Sequence, residues 1–369
     1  MKKLKALPKT DRYLLWIVLI ILAIGLIMLS SASTVLSYQR YGNNYYYFIR
    51  QLLFGALPGL ILMYVFSRID YHIWQKFAPF LVFAGIGMLA AVLIPGIGFK
   101  VGNSRRWINF GPFLFQPTEF VKLAMILYLA SWYDKRQHRV HDFYYGFLPN
   151  LAIVGLVVIL IVLEPDIGTM LILAAIAGVM FFIGGVRMRY IYATAASALL
   201  ILWILVKAAP YRAQRFLAFL DPSVDAKGIS YQINQALLAV GSGGPWGLGF
   251  GQSRQKYSYL PEPIGDSIFA VVSEELGFVR VCFILLLFLL FAFRGFKISR
   301  TAPDTFGKLA AAGITSWLIL QALINIGGIT GMIPLTGVPL TFISYGSTAM
   351  VISLAGVGIL LNISRFSEI

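Results

Sequence analysis

The chain has 369 residues, of which 59% are hydrophobic and only 12% are charged, with a formal net charge of +15. This balance excludes a soluble globular protein, because repeated apolar runs of about 20 residues are typical of membrane-spanning helices. The charge does not indicate nucleic-acid binding, since lysine and arginine lie mainly in short segments between the apolar runs, as a topology signal would.

Ten apolar runs predict an all-α polytopic membrane protein with ten transmembrane helices in one domain over residues 1–369. The first run is too long for a signal-peptide core and is predicted to be a retained helix. A long loop, at about 208–266, separates the seventh and eighth helices. The predicted spans are approximately 13–33, 48–67, 77–96, 118–133, 147–163, 168–185, 189–207, 267–293, 307–330 and 340–362.

The distribution of positive charge predicts the orientation of the chain. With ten spans, both termini lie on one side of the membrane, and that side carries 17 of the 30 lysines and arginines. Two loops on the opposite side, Glu164–Gly168 and Thr330–Leu340, carry none. The positive-inside rule therefore places both termini in the cytoplasm and the 208–266 loop outside.

Charged and aromatic residues are concentrated around the second outer loop. Arg105 and Arg106 are adjacent and precede Trp107, while Glu119 and Lys122 share one helix face. Glu119 and Lys122 either form a structural ion pair or belong to a substrate site. In the second interpretation, Arg105, Arg106 and Lys122 form a cationic receptacle for a phosphate-bearing lipid, because guanidinium groups bind phosphate in a bidentate manner.

The other outer segments suggest local structures. Asp166 is predicted to cap the following helix, and the six glycines within residues 241–251 are predicted to bound a mobile flap. Segments 325–337 and 342–348 are polar and glycine-rich, which indicates either small-residue helix packing or backbone facing a wet cavity. Helical spacing of apolar residues predicts an amphipathic helix on the bilayer, with Ile229, Ile233, Leu237 and Val240 on one face.

The stretch Tyr257–Gly277 is the strongest candidate site. A polar, proline-interrupted loop changes at Asp266 into a long apolar helix, which places a carboxylate at the boundary between water and lipid. Asp266 either caps that helix or has a chemical function. Farther along the same span, Arg280 is predicted to pair with a helix neighbour such as Glu275 or to approach the inner interface.

Four motifs together resemble the SEDS family of bacterial cell-wall proteins, named for shape, elongation, division and sporulation. The resemblance covers nearly the whole chain, and residues 303–327 are most similar to the division members. Thr118, Thr341 and Ser347 depart from the family pattern, which usually has serine, proline and glycine there. The motifs are RRWINFGPFLFQPTEFVK, EPDIGT, YLPEPIGDSIFAVVSEELG and INIGGITGMIPLTGVPLTFISYG.

The resemblance implies a peptidoglycan glycosyltransferase that polymerises lipid II on the outer face of the bacterial cytoplasmic membrane, at the division septum. Its implied partners are a class B penicillin-binding protein and other divisome membrane proteins, with no nucleic acid. Asp266 matches the family's essential loop aspartate. Further candidate substrate-binding residues are Arg105, Arg106, Trp107, Glu119, Lys122, Lys256, Glu262 and Ser344.

The expected chemistry is attack of a sugar hydroxyl on an anomeric carbon, with Asp266 as general base and basic residues facing the departing diphosphate. A single carboxylate suits one-step inversion. The sequence shows no metal-ligand cluster and no evident cofactor, although Mg²⁺ or Mn²⁺ would assist a leaving diphosphate.

Other functions remain open from the residues alone. One is an elongation-type polymerase with the same chemistry. Another is a carrier that flips lipid II, since broken glycine-rich helices and internal charges also fit a transporter. The absence of an evident internal repeat and the position of the polar motifs on the outer side favour an enzyme. A purely structural scaffold would leave the Arg-Arg-Trp and Asp266 motifs unexplained.

Overall fold

The computed structural model of the chain describes residues 10–101, 104–111, 113–208, 210–221 and 229–367. A π-helical turn, Leu52–Ala56, joins the third helix to the fourth, and another, Phe143–Phe147, leads into the seventh. The first half contains α1 (Arg12–Ala32), α2 (Thr34–Tyr41), α3 (Tyr46–Gln51), α4 (Leu57–Arg68), α5 (His72–Leu93), α6 (Pro117–Lys135) and α7 (Leu148–Leu163). The second half contains α8 (Ile167–Ile183), α9 (Met188–Ala208), α10 (Pro210–Leu220), α11 (Ile229–Ser242), α12 (Ile268–Thr301), α13 (Thr305–Ile329) and α14 (Ser347–Phe366).

Each of the ten predicted spans coincides with a helix, so the all-α polytopic fold is confirmed. Among the described residues, eight helices are long and apolar enough to cross a membrane. The other two predicted spans are α8, which is apolar but has only 17 residues, and α6, which carries the Glu119–Lys122 pair. The polar pair is accommodated because α6 is buried along almost its whole length.

The centre of the bundle is formed by α6, α13 and α14. Helix α13 packs against α6, α8 and α12, while α14 packs against α4. By contrast, none of the residues in the most apolar stretch of α9 is buried, which places that helix at the periphery. Large apolar side chains on the outer helices, such as Phe80, Leu199 and Leu289, are exposed and suit contact with lipid.

The second outer loop contains a small antiparallel sheet that the sequence analysis did not predict. Its strands are β1 (Gly98–Val101), β2 (Ser104–Asn109) and β3 (Leu114–Phe115), in that spatial order. Phe99 lies opposite Trp107, and Ile108 lies opposite Phe115. The strands are short, and their pairing depends on neighbours in space rather than on a long alternating pattern.

Two predicted helices have different bounds in the structure. The tenth span begins at Ser347 rather than near residue 340, since residues 332–346 form turns and extended backbone in which Phe342 has a φ of 64°. Helix α12 is not continuous, because Gly277 has a φ of 76° and a ψ of 173°. That conformation is essentially restricted to glycine and produces a kink.

The glycine-rich segment 241–251 docks into this kink, which revises its interpretation as a mobile flap. The amides of Leu248 and Gly249 donate to the carbonyls of Glu274 and Glu275, at 3.0 and 3.1 Å. Phe278 donates in turn to the carbonyl of Gly244 at 2.9 Å. Glycine is needed here because the backbones of the two segments approach too closely for a Cβ atom.

Helix α11 confirms the predicted helix in the long loop. Its buried face, with Ile233, Ala236 and Ala239, packs against α12, while Leu237 and Leu238 are exposed. The N-terminal lysines that support the predicted orientation lie outside the described residues, as do residues 222–228 of the long loop. The placement of both termini in the cytoplasm therefore stays a prediction.

Candidate functional site

Asp266 lies at the end of a run of tight turns, directly before α12. The N-cap position of α12 belongs to Ser267, whose side chain makes no capping hydrogen bond. Asp266 therefore does not occupy the N-cap position that the capping interpretation gave it. Its carboxylate is half-buried, with Oδ1 at 3.4 Å from the Nε2 atom of Gln232 and 3.5 Å from the Oγ atom of Ser267. Gln232 belongs to α11, so the amphipathic helix contributes directly to this site.

The backbone of the Asp266 turn is held by three polar groups from other segments. Asn325 of α13 donates from Nδ2 to the carbonyl of Asp266 at 2.7 Å. Ser344 donates from Oγ to the carbonyl of Gly265 at 2.7 Å, and the amide of Tyr345 donates to the carbonyl of Ile264 at 2.8 Å. These bonds fix the direction in which Asp266 leaves the backbone.

Ser344 was predicted to bind substrate, but its hydroxyl is hydrogen-bonded to other parts of the protein. The hydroxyl also accepts the amide of Leu340 at 2.8 Å, and the side chain is buried. Its neighbour Tyr345 is packed edge-to-face against Tyr47, with ring centroids 5.2 Å apart. Burial raises the pKa of the Tyr345 phenol. Both residues therefore support the turn that carries Asp266.

Gln51 is a buried residue that the sequence analysis missed. It ends α3 at the π-helical turn, where its Nε2 atom donates to the carbonyl of Ser344 at 3.3 Å and its Oε1 atom accepts the amide of Gly346 at 3.1 Å. A π-helical turn commonly marks a functional position in a helix. The available signal was a glutamine within an apolar span, since polar groups there need a partner.

Glu275, on the first part of α12, is the centre of a buried polar cluster. One carboxylate oxygen, Oε1, lies 2.9 Å from the ammonium of Lys256. The carboxylate also accepts the hydroxyl of Ser31 at 2.7 Å and the amides of Gly251 and Ser253 at 3.0 and 3.3 Å. Lys256 was predicted to bind substrate, but its ammonium is buried in this cluster.

Glu274 organises the adjoining part of the same loop. Its carboxylate accepts the hydroxyl of Ser253 at 2.6 Å and the amide of Arg254 at 3.0 Å. Arg280 was expected to pair with Glu275 or to approach the inner interface. Instead, its guanidinium donates to the carbonyl of Trp246 at 2.9 Å, because the glycine-rich segment occupies the space beside the kink.

Glu119 and Lys122 form the predicted ion pair, at 2.8 Å between Oε1 and Nζ, and both side chains are buried. The ammonium of Lys122 also donates to Oε1 of Gln321 at 2.7 Å and lies 5.3 Å from the ring centroid of Trp317. Gln321 then donates to the carbonyl of Pro339 at 3.1 Å. The pair therefore acts inside the bundle, where it supports the loop before α14.

The structure places the three predicted phosphate-binding cations in different environments. Arg105 and Arg106 are consecutive in β2, at a bulge in its pairing with β1, where Lys100 lies opposite Arg105 and Phe99 lies opposite Trp107. Arg106 is engaged by the loop between α7 and α8, and Lys122 is buried in its pair with Glu119. They do not form one receptacle. Among the described residues, the guanidinium of Arg105 makes no hydrogen bond or ion pair.

Arg106 anchors the loop between α7 and α8. It donates from Nε to the carbonyl of Glu164 at 3.1 Å and from Nη2 to the carbonyl of Pro165. A third nitrogen, Nη1, is 3.7 Å from the carboxylate of Asp166. Asp166 also accepts the amide of Thr169 at 3.1 Å, which confirms its predicted role as the cap of α8.

Glu164 is a buried carboxyl group without a hydrogen-bond partner for either oxygen among the described residues. Burial, reinforced by the charge of Asp166 and opposed by that of Arg106, raises the pKa of Glu164 to about 8. At neutral pH the group is therefore largely protonated. Glu164 was not among the predicted site residues, although the capping role of its neighbour Asp166 was predicted.

Glu262, the remaining predicted substrate-binding residue, is exposed and has a φ of 48°. Its carbonyl accepts the amides of Gly265 and Ser267, at 3.1 and 3.3 Å, which closes the turn before α12. No group of three or more His, Cys, Asp or Glu residues in the described ranges is placed to hold a metal ion.

Comparisons with known proteins relate the chain to bacterial cell cycle proteins. The sequence profile of the cell cycle protein family that includes FtsW, RodA and SpoVE matches residues 12–369. Stage V sporulation protein E of Bacillus subtilis is 43% identical over 358 residues, which cover 97% of this chain and 98% of that protein. A protein named probable peptidoglycan glycosyltransferase FtsW, from Trichlorobacter lovleyi, is 40% identical over 358 residues. The match covers 97% of this chain and 94% of that protein.

Solved structures show the same fold. A chain of a peptidoglycan synthase complex, described as coordinating polymerization and crosslinking, superposes with a TM-score of 0.79 at 27% identity, over 96% of this chain and 98% of that one. The crystal structure of rod shape determining protein RodA from Thermus thermophilus gives a TM-score of 0.72 at 26% identity, over 98% of each chain. The chain therefore belongs to the FtsW, RodA and SpoVE family, the SEDS family that its motifs resemble.

Proposed function

We propose that this protein is a peptidoglycan glycosyltransferase that polymerises lipid II into glycan strands, with Asp266 as the general base. The observation that carries the proposal is the fixed turn around Asp266, whose backbone is bonded by Asn325, Ser344 and Tyr345. A general base is effective when its position relative to the reacting hydroxyl is fixed. Relatives named peptidoglycan glycosyltransferase support the reaction class.

In the proposed reaction, a hydroxyl of the acceptor sugar attacks the anomeric carbon of the donor sugar. Asp266 accepts the hydroxyl proton as the new carbon–oxygen bond forms. The bond between the anomeric carbon and the polyprenyl diphosphate breaks, and the diphosphate leaves with its electron pair. One carboxylate suffices for a one-step inverting displacement of this kind.

Arg105 is the proposed contact for the departing diphosphate. Its guanidinium is free of protein partners among the described residues, whereas the guanidinium of Arg106 and the ammonium of Lys122 are engaged. Positive charge placed near the leaving group stabilises the charge that develops there. Trp107 lies two residues farther along β2 and is the proposed apolar surface near the leaving group.

The proposed setting is the outer face of the cytoplasmic membrane, with both termini in the cytoplasm. A class B penicillin-binding protein is the proposed partner, in line with the peptidoglycan synthase complex whose chain has the same fold. Septal synthesis, together with other divisome membrane proteins, is the proposed role. Elongation and sporulation are the alternatives, because RodA and a sporulation protein are also similar to this chain.

The proposal is tested with the purified protein, lipid II, and a matching class B partner whose transpeptidase is blocked. Glycan strands of increasing length are expected, and strand formation without crosslinking would identify this chain as the polymerase. A proteoliposome assay with labelled lipid II serves as the comparison. Transfer of lipid II between leaflets without strand formation would contradict the proposal and favour a carrier.

A further inference from the structure

A polar cavity adjoins the Asp266 turn and has no role in the proposed chemistry. It has a volume of about 180 Å³ and lies between α2 and the loop 256–263. Arg40 and Glu262 line it from opposite elements, and Lys256 lies at its buried side. Because the Glu262 carbonyl accepts the amides of Gly265 and Ser267, this cavity lies within one tight turn of Asp266.

The cavity contains one negative and one positive charge that are not paired with each other. Among the described residues, the carboxylate of Glu262 makes no hydrogen bond or ion pair. Within the described ranges, the guanidinium of Arg40 donates only to the phenol of Tyr47, at 3.1 Å. Lys256 adds no free charge, since its ammonium is paired with Glu275 at 2.9 Å. The available charges are therefore those of Arg40 and Glu262.

The backbone around the cavity is strained in two places. Ser258 has a φ of 70° and Glu262 a φ of 48°, in the left-handed region that residues other than glycine rarely adopt. Such strain persists where the surrounding structure imposes it, and it is common at ligand-binding positions. Gln39 of α2 donates to the hydroxyl of Ser258 at 3.3 Å and connects the two sides of the cavity.

We infer that this cavity binds the peptide of the lipid-linked substrate, which rests on the proposed function. Glu262 receives the side-chain ammonium of a diamino acid in that peptide, and Arg40 receives a carboxylate. A diphosphate would be repelled by Glu262, and an uncharged sugar would leave both charges without a partner. A peptide of about five residues reaches at most roughly 17 Å when extended, so a peptide joined to a sugar at Asp266 reaches the cavity.

The test combines variants with three substrates. The substrates are a lipid-linked disaccharide with the complete peptide, the same lipid with the diamino acid N-acetylated, and the disaccharide lipid without peptide. Acetylation is expected to raise the KM of the unaltered protein about tenfold, the effect of losing one charge-assisted contact. Glu262→Gln is expected to raise KM about tenfold for the complete peptide and to leave the other two substrates unaffected.

Arg40→Gln gives a second, independent variant, because it should raise KM for both peptide-bearing lipids but not for the lipid without peptide. The matched control is Asp70→Asn, which removes an exposed carboxylate from the α4–α5 connection, at the other end of α1 from the cavity. It should not change KM for any of the three lipids.

An equal loss on all three substrates would assign Glu262 a purely structural role and overturn the inference. No effect of Glu262→Gln on any substrate would do the same. An effect seen only as weaker binding of the class B partner would mean that the cavity receives a protein segment instead. Binding of the three lipids, measured separately, distinguishes failure of this inference from absence of polymerase activity.

Discussion

Arg105 and Arg106 are neighbours in the sequence but have different surroundings in the structure. Their adjacency suggested a joint phosphate site, but the carbonyls of Glu164 and Pro165 engage the guanidinium of Arg106. Arg106 holds the loop between α7 and α8, while Arg105 remains available for a ligand. A strand of six residues gave too weak a pattern for this division to be predicted from the sequence.

The two arginines are therefore expected to respond differently to substitution. Arg105→Ala should lower polymerisation at subsaturating lipid II about tenfold or more, because a charged contact to phosphate contributes about 1.5–3 kcal/mol. Its thermal stability in detergent should be unchanged. Arg106→Ala should lower the unfolding temperature as well, since it removes the anchor of the α7–α8 loop. Equal stability losses in both variants would contradict this division of roles.

Glu164 should make the stability of the protein depend on pH. In the unfolded chain its carboxyl group ionises near the usual pKa of 4.5, whereas in the folded protein the pKa is about 8. Between these values unfolding releases a proton, so rising pH favours the unfolded state. As the pH rises from about 5 to about 8, the free energy of unfolding should therefore fall for the unaltered protein. It should not fall in this way for Glu164→Gln, because glutamine does not ionise.

Unfolding temperatures of both proteins in detergent, measured across that pH range, provide the check. Asp142→Asn is a suitable control, because Asp142 is exposed and asparagine also accepts the amide of Tyr144. A difference between Glu164→Gln and the unaltered protein that stays constant with pH would show that the Glu164 carboxyl is ionised in the folded state.

At the level of elements, the spanning helices were predictable because long apolar runs leave few alternatives in a membrane. The kink in α12 was not, since it depends on a close approach between Gly277 and residues distant in the chain. The glycines of segment 241–251 were visible in the sequence, yet composition does not distinguish flexibility from tight packing. The polar residues Gln321 and Asn325, four positions apart on α13, were likewise visible but had unpredictable partners.

The tight-packing interpretation of the glycine segment has a matched test. A Cβ atom at Gly243 would collide with the carbonyl oxygen of Ser273, whereas one at Gly241 would meet nothing within 4 Å. Gly243→Ala should therefore destabilise the protein. Gly241→Ala, within α11, should be neutral or stabilising by up to about 1 kcal/mol.

Hydrogen exchange gives an independent measure of the same element. The amides of Leu248 and Gly249 should exchange slowly, because they donate to carbonyls of α12. Fast exchange at these two positions, together with equal stability of the two alanine variants, would restore the mobile-flap interpretation.

The Lys256–Glu275 pair should couple the loop 251–256 to α12. Lys256→Met leaves Glu275 buried without its cation, and removing one member of a buried pair typically costs about 3–5 kcal/mol. Adding Glu275→Gln removes the unpaired charge, so the double variant should recover part of the loss. Unfolding temperatures of the single and double variants test this coupling, and strictly additive losses would argue against it.

At the scale of the whole molecule, the segments that carry the family's motifs converge on the Asp266 turn. Asn325 bonds the carbonyls of both Asp266 and Val338, and Gln321 connects the Glu119–Lys122 pair to Pro339. The family's polar motifs, scattered along the sequence, are thus joined through buried side chains. The residues were predictable as candidates, but only the fold separates those that support the turn from those available to a substrate.

The most direct test of this account compares lipid II polymerisation by the purified protein and by its Asp266→Asn variant, each with a class B partner whose transpeptidase is blocked. Asparagine has nearly the same shape and accepts hydrogen bonds at a helix N-terminus about as well, but it is not a general base. Folding, membrane insertion and partner binding should therefore be unchanged, while the rate of strand formation should fall by about 10²–10⁴-fold. Strand formation at nearly the unaltered rate would contradict the assignment of Asp266 as the base.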